Sequence, residues 1–116
     1  MSRFAAQIVP EQDAPYEMAN LFPSSTGLPM TVWVTTRGGA RHDVRVKANQ
    51  QDGDRMDPGN TAVVAVRPEP SLVHGALTST QQGKLFDWVA RNEAALVALW
   101  EGEIDFVGFV TRMQKV

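Results

Sequence analysis

The stretch Met30-Thr31-Val32-Trp33-Val34-Thr35-Thr36-Arg37-Gly38-Gly39-Ala40-Arg41-His42-Asp43-Val44-Arg45-Val46-Lys47-Ala48 decides the fold. Both of its arms alternate apolar and polar residues, the period of a half-buried strand. The first arm is rich in β-branched and aromatic side chains, which suit a pleated surface. Two glycines, able to take positive φ, lie between the arms. The pattern predicts a β-hairpin over 30–48. A two-residue turn at Gly38-Gly39 would set Val32 against Arg45 and mix both faces. A loop of three or five residues sets Val32 opposite Val46 and Val34 opposite Val44, and collects the valines on one face. A slip of one residue exchanges faces, so the hydrophobic pattern selects the odd loop. The opposite face then carries Trp33, Thr35, Asp43, Arg45 and Lys47.

Downstream, Thr61-Ala62-Val63-Val64-Ala65-Val66 is apolar on both faces. That predicts an inner strand over 61–66, covered on both sides or covered by an arm of the chain. Ser71 to Ala76 reads as a short strand or turn. From Ser79 to Glu101 the apolar period becomes helical, through Leu85, Val89, Leu96 and Trp100. Thr78 or Ser79 suits the N-cap, and Gly102 the C-terminal stop. Phe106, Phe109, Val110 and Met113 predict a short helix over 105–113, capped by Asp105. Upstream, Pro10, Pro15, Pro23 and Pro29 punctuate a weakly patterned segment. Residues 1–25 are expected to form an irregular arm, with Phe4 to Val9 able to add a short edge strand. The expected class is α+β. A small antiparallel sheet, hairpin 30–48 plus strand 61–66, is packed by a long helix 79–101 and a short helix 105–113. Residues 26–116 form the single domain.

Composition narrows the function. The 116 residues suit one domain. A net charge of −2 sets the chain apart from dedicated nucleic-acid binders, whose affinity comes largely from phosphate neutralisation. With no cysteine there is no disulfide, thiolate catalysis or Cys-ligated zinc. Met1 to Pro10 lacks a sustained apolar run and does not read as a signal peptide. No stretch is long enough to span a bilayer. A cytoplasmic location is expected, with no membrane association.

Several segments resemble a group of small bacterial proteins with no assigned activity. The likeness runs over roughly residues 26–113. It rests on Thr26-Gly27-Leu28-Pro29-Met30, Val32-Trp33-Val34 and the run from Arg37 to Lys47. Further along it takes in Val64-Ala65-Val66-Arg67-Pro68, Trp88, Asn92, Leu96, Trp100, Gly102, Ile104 and Asp105. The strand–hairpin–strand–helix order is also similar to a domain-of-unknown-function family found near bacterial toxin–antitoxin genes. That family carries a histidine pair where this chain has Arg41-His42-Asp43-Val44. Only His42 matches, so the resemblance implies no histidine-based activity. It does imply the α+β fold and a helix over 104–113.

Four of the eleven basic residues fall between Arg37 and Lys47. Trp33, Arg37, Arg41, His42, Arg45 and Lys47 are therefore the candidate binding residues. Such a face suits RNA, phosphate or an acidic protein partner. The plainer reading is a solvated sheet face with a Trp33–Arg45 cation–π pair. His42 and Asp43 are adjacent on a strand and point to opposite faces, so they form no simple dyad. His42 with His74 could run acid–base cleavage of RNA, but nothing in their spacing brings them together. Asp52, Asp54 and Asp57 share a loop without the closing glutamate of a calcium site, which leaves no metal expected. Neither phosphate-loop glycine spacing occurs, so no nucleotide-loop motif or cofactor is read. Trp88, Asn92 and Trp100 read as packing residues, with Asn92 in need of backbone partners. An exposed strand edge or unshielded helix stripe would allow a homodimer. No catalytic constellation is evident. The expected function is a non-enzymatic interaction or regulatory module using the basic hairpin face. A toxin-like ribonuclease or other hydrolase, using His42 with a nearby arginine, is the alternative.

Overall fold

In the computed structural model, which describes residues 17–116, the two arms of the 30–48 stretch pair antiparallel. β2 spans Val32–Thr35 and β3 spans Arg45–Asn49. Val32 lies opposite Ala48, and Trp33 opposite Lys47. Faces are sorted as the alternation requires. Val32, Val34, Val44, Val46 and Ala48 are buried, whereas Trp33, Thr35, Arg45 and Lys47 occupy the other side. The register itself differs from the expected Val32–Val46 pairing by two residues. A two-residue slip preserves parity, so the valine face survives it. The longer connection has a tertiary cause. The Arg37 amide donates to the Trp100 carbonyl at 3.1 Å, drawing the loop out toward the last helical turn of the packing layer. Gly38, at φ 54°, allows the Arg37–Ala40 turn on the way.

Among the described residues the sheet has five strands in the order β1-β2-β3-β4-β5, all antiparallel. β4 is Thr61–Ala65 and β5 is Ser71–His74. β4 is an inner strand, but helices cover only one of its faces. Ala62, Val64 and Val66 are buried there, while Val63 and Ala65 are half-buried on the other side.

β1, Met18–Leu21, pairs with the outer edge of β2 and corrects the expectation of an irregular arm. The one-turn helix α1, Pro23–Thr26, follows it. The signal was weak because only Ala19 and Leu21 of the strand face inward, and alanine contributes little apolar contrast. The Phe4–Val9 edge strand lies outside the described residues.

One face of the sheet is covered by α2, Ser79–Arg91, α3, Glu93–Trp100, and α4, Phe106–Arg112. Thr78 opens α2 with a capping box: its hydroxyl accepts from the Gln81 amide, and the Gln81 side chain accepts from the Thr78 amide. α3 ends in a Schellman motif at Gly102, φ 79°, with the Glu103 amide donating to Ala98 and the Gly102 amide to Leu99. Asp105 caps α4 by accepting from the Gly108 amide. Each fully buried valine or leucine of this core stabilises the fold by about 1.5–3 kcal/mol. No helix among the described residues is long and apolar enough to cross a membrane.

The expected continuous helix 79–101 is broken at Asn92, and the cause is its side chain. Asn92 Nδ2 donates to the Trp88 carbonyl at 2.8 Å and to the Gln114 carbonyl at 3.0 Å. Its Oδ1 accepts from the Gln114 amide at 2.7 Å. A short amide side chain that bonds backbone competes with the helical ladder, and residue 92 leaves helical geometry at φ −109°, ψ 16°. The same side chain fastens the C-terminal segment, and the Val116 amide completes the clasp by donating to Thr26. Asn92→Ala removes a buried side chain that makes three hydrogen bonds and leaves the part-buried amide and carbonyl of Gln114 without their partner. The expected loss is about 2–3 kcal/mol in urea denaturation. A loss under about 0.5 kcal/mol, within the range of ordinary surface substitutions, would show that the clasp is dispensable.

Candidate functional site

The face of the sheet opposite the helices, uncovered among the described residues, is organised in rows by the register. Trp33 lies opposite Lys47, Lys47 opposite Val63, and Val63 opposite His74. Two residues along, Arg45 faces Ala65, which faces Ser71, and Thr35 follows Trp33 on the same face of β2. A third row is Asp43 against Arg67. A β-bulge between Val63 and Val64 in the β4–β5 pairing brings Val73 to the same side. Side chains of the first two rows, together with the 36–42 segment and Trp100, line a concavity of about 630 Å³.

The third row lies outside this lining, as a wall at one end of the face. Arg67 holds Asp43 bidentately, Nε to Oδ2 at 2.8 Å and Nη2 to Oδ1 at 2.9 Å. Arg67 also approaches Glu101 at 3.6 Å, and Glu101 lies 4.0 Å from Arg37. This chain of charges ties the loop after β2 to the end of α3. The hydrogen bond from Arg67 and that from the Val44 amide hold the Asp43 carboxyl down at about 2. The Arg67 guanidinium is raised in turn, chiefly by its bond to Asp43. Both acidic groups of the wall are thereby engaged, and among the described residues no carboxylate lines the concavity.

The ionisable lining consists of Arg37, Arg45, Lys47, His42 and His74. Among the described residues, neither Arg45 nor Lys47 has a carboxylate within 4.0 Å. The Lys47 ammonium sits 5.8 Å from the centroid of the Trp33 ring. Trp33 was expected to pair with Arg45; the register places Lys47 directly across instead. His42 stacks on Trp100 with ring centroids 5.5 Å apart and planes tilted by 30°. Its Nδ1 lies 2.7 Å from the Asp43 carbonyl oxygen. A carbonyl only accepts, so Nδ1 carries the proton and Nε2 is left for other partners.

Five of the six candidate residues, Trp33, Arg37, His42, Arg45 and Lys47, line the concavity. Arg41 is exposed and outside the lining. His42 and Asp43 form no side-chain dyad, since the carboxylate of Asp43 belongs to Arg67. His74 and Trp100 are additions to the site. Sequence spacing gives no reason to bring His74 near His42, and Trp100 carries the signal of a core residue. It is a core residue, 3% exposed, whose edge also reaches the cleft. The aspartates of the 50–60 loop serve structure: Asp52 accepts from Gln81, and Asp57 from the Gly59 amide.

Comparison of the chain with models of known protein families, with curated proteins and with solved structures finds no match. The bearing on function is therefore carried by the site's own geometry.

The folded-state value of Asp43 lies below its ordinary 3.8. The Asp43–Arg67 pair therefore contributes in full above about pH 4, and its contribution is lost as pH falls through about 2. Asp43→Asn is expected to lower the urea midpoint modestly at pH 7, because the pair is solvent-exposed. At pH 2 the gap between variant and parent should have narrowed sharply. A gap as wide at pH 2 as at pH 7 would refute this account of the wall.

Proposed function

We propose that the chain is a non-enzymatic binding module that holds an anionic ligand on the uncovered face of its sheet. One observation carries this reading. Arg45 and Lys47 project side by side into a concavity whose ionisable groups, among the described residues, are all cationic or imidazole. Arg45 is half-buried and has no carboxylate partner among the described residues. A guanidinium offers five donors in a rigid fork, matched to phosphate or carboxylate. Partial burial raises the worth of any anion that reaches it. The net charge of −2 is compatible with this, because the positive groups are concentrated in one place. We place this activity in the cytoplasm, in keeping with a composition that has no cysteine.

A hydrolytic reading, with His42 and His74 cleaving RNA, has one observation in its favour: both imidazoles line the same concavity. The register weighs against it. His74 shares the row of Lys47, whereas His42 precedes the row of Asp43. At about 3.4 Å per residue those rows are roughly 13 Å apart along the strand. General acid and base must both come within hydrogen-bond reach of one phosphodiester. Binding is the function that fits this separation.

The test is calorimetric titration of the full chain with inorganic pyrophosphate. The double variant Arg45→Ala, Lys47→Ala should weaken binding at least ten-fold, and added salt should weaken the parent far more than the variant. Equal binding by the two proteins would remove the basis for this function. A short RNA incubated with the parent should stay intact; cleavage abolished by His42→Gln would establish the hydrolytic reading instead.

A further inference from the structure

We infer that the anion taken by this site is the phosphate of a nucleotide, and that the base stacks on Trp33. The inference rests on the anion-binding reading above and specifies its ligand. Arg45 and Lys47 are two residues apart on one strand face, so their Cβ atoms are separated by about 6.6 Å. Both long side chains can converge on a single phosphate from that spacing. Trp33 lies directly across from Lys47, adjacent to where that phosphate sits. Its ring is half-buried, and in the free protein the Lys47 ammonium lies over it at 5.8 Å from the centroid.

That arrangement is an exchange site. A phosphate seated at Arg45 draws the Lys47 ammonium to itself, because a full charge attracts it more strongly than a ring quadrupole does. The indole face so vacated is a flat apolar surface with a phosphate beside it. A nucleobase fills it and stacks, a contact open to every base because each has a π-face. Val63 and Val73 supply apolar wall, and Thr35 follows Trp33 on the same face of β2. The 630 Å³ of the concavity falls within the range of about 300–1,000 Å³ usual for small organic ligands. A bare inorganic anion would leave most of this space and the Trp33 face unused. A carboxylate side chain of an acidic protein would leave the indole uncovered as well.

The same chemistry is offered by a free nucleotide and by one unit of a single strand, so both belong in the test. The full chain is titrated separately with AMP, adenosine, inorganic phosphate, hexaglutamate and pentaadenylate. Calorimetry gives the affinities, and tryptophan fluorescence reports stacking. Trp33→Phe assigns the Trp33 emission and keeps a stacking ring; Trp33→Leu removes the ring. AMP is expected to bind at least ten-fold more tightly than phosphate or adenosine and to quench Trp33. Trp33→Leu should lose about ten-fold toward AMP with its phosphate affinity unchanged, while Trp33→Phe retains most of the AMP affinity. Should Trp33→Leu fail to fold, as judged by its thermal melt, the quench in the parent and its loss in Trp33→Phe carry the decision. A large gain for pentaadenylate over AMP assigns the site to a strand, and a merely statistical gain to a free nucleotide; either outcome keeps the nucleotide. Phosphate or hexaglutamate binding as tightly as AMP, without quenching, overturns the nucleotide and leaves the anion site standing. No binding by any anion overturns both.

Discussion

Side chains leave β3 in alternate directions, and each layer of the molecule takes its role from that division. Val44, Val46 and Ala48 point into the helices and are sealed from water. Asp43, Arg45 and Lys47 point the other way, one per row. β3 has partners on both edges, so its division is imposed on β2 and β4 through the ladders. A slip of one residue would bury two cations and an aspartate against the helices, at a cost no domain of this size could offset. The core therefore secures the site. The free energy of packing the valines is what holds three charged side chains on a common face.

The rows differ in what balances their charge. Asp43 is matched within the protein by Arg67, which also reaches Glu101. Arg45 is unmatched among the described residues, and Lys47 rests over an aromatic ring. The face is thus neutralised at its wall and left positive at its centre. Neutralising the wall also does mechanical work. It anchors the loop of 36–44, which would otherwise need only glycine turns and solvent, against the end of α3. Loop closure over an electrostatic centre gives the site a defined side where an open sheet would have none.

Much of this was legible in the residues themselves. The alternation over 30–48 gives the two faces, because parity is a local property of the chain. Thr78, Gly102 and Asp105 give the helix ends, because capping is local too. The register was not legible, since a tertiary bond from Arg37 to Trp100 lengthens the loop. Nor was the helix break. Asn92 lies on a helical stripe in the sequence, and only its pairing with Gln114, 22 residues on, turns it into a break. At the site, five residues followed from a run of basic and aromatic side chains. His74 and Arg67, the partner of Asp43, did not, because one lies on β5 and the other in the connection after β4, and no single-chain periodicity reports where those are placed. Arg41 shows the converse failure: it shares the basic run but sits on the loop beyond the cleft.

The bond between Asn92 and Gln114 has a consequence for the order in which the molecule can be built on the ribosome. All five strands and the first helix of the packing layer are made before residue 92 emerges. At that moment the amide of Asn92 has only the Trp88 carbonyl to hold, and nothing yet seals that side of the layer. Its second partner leaves the exit tunnel much later. The core therefore closes on this side only once Gln114, 22 residues further along the chain, has joined the layer.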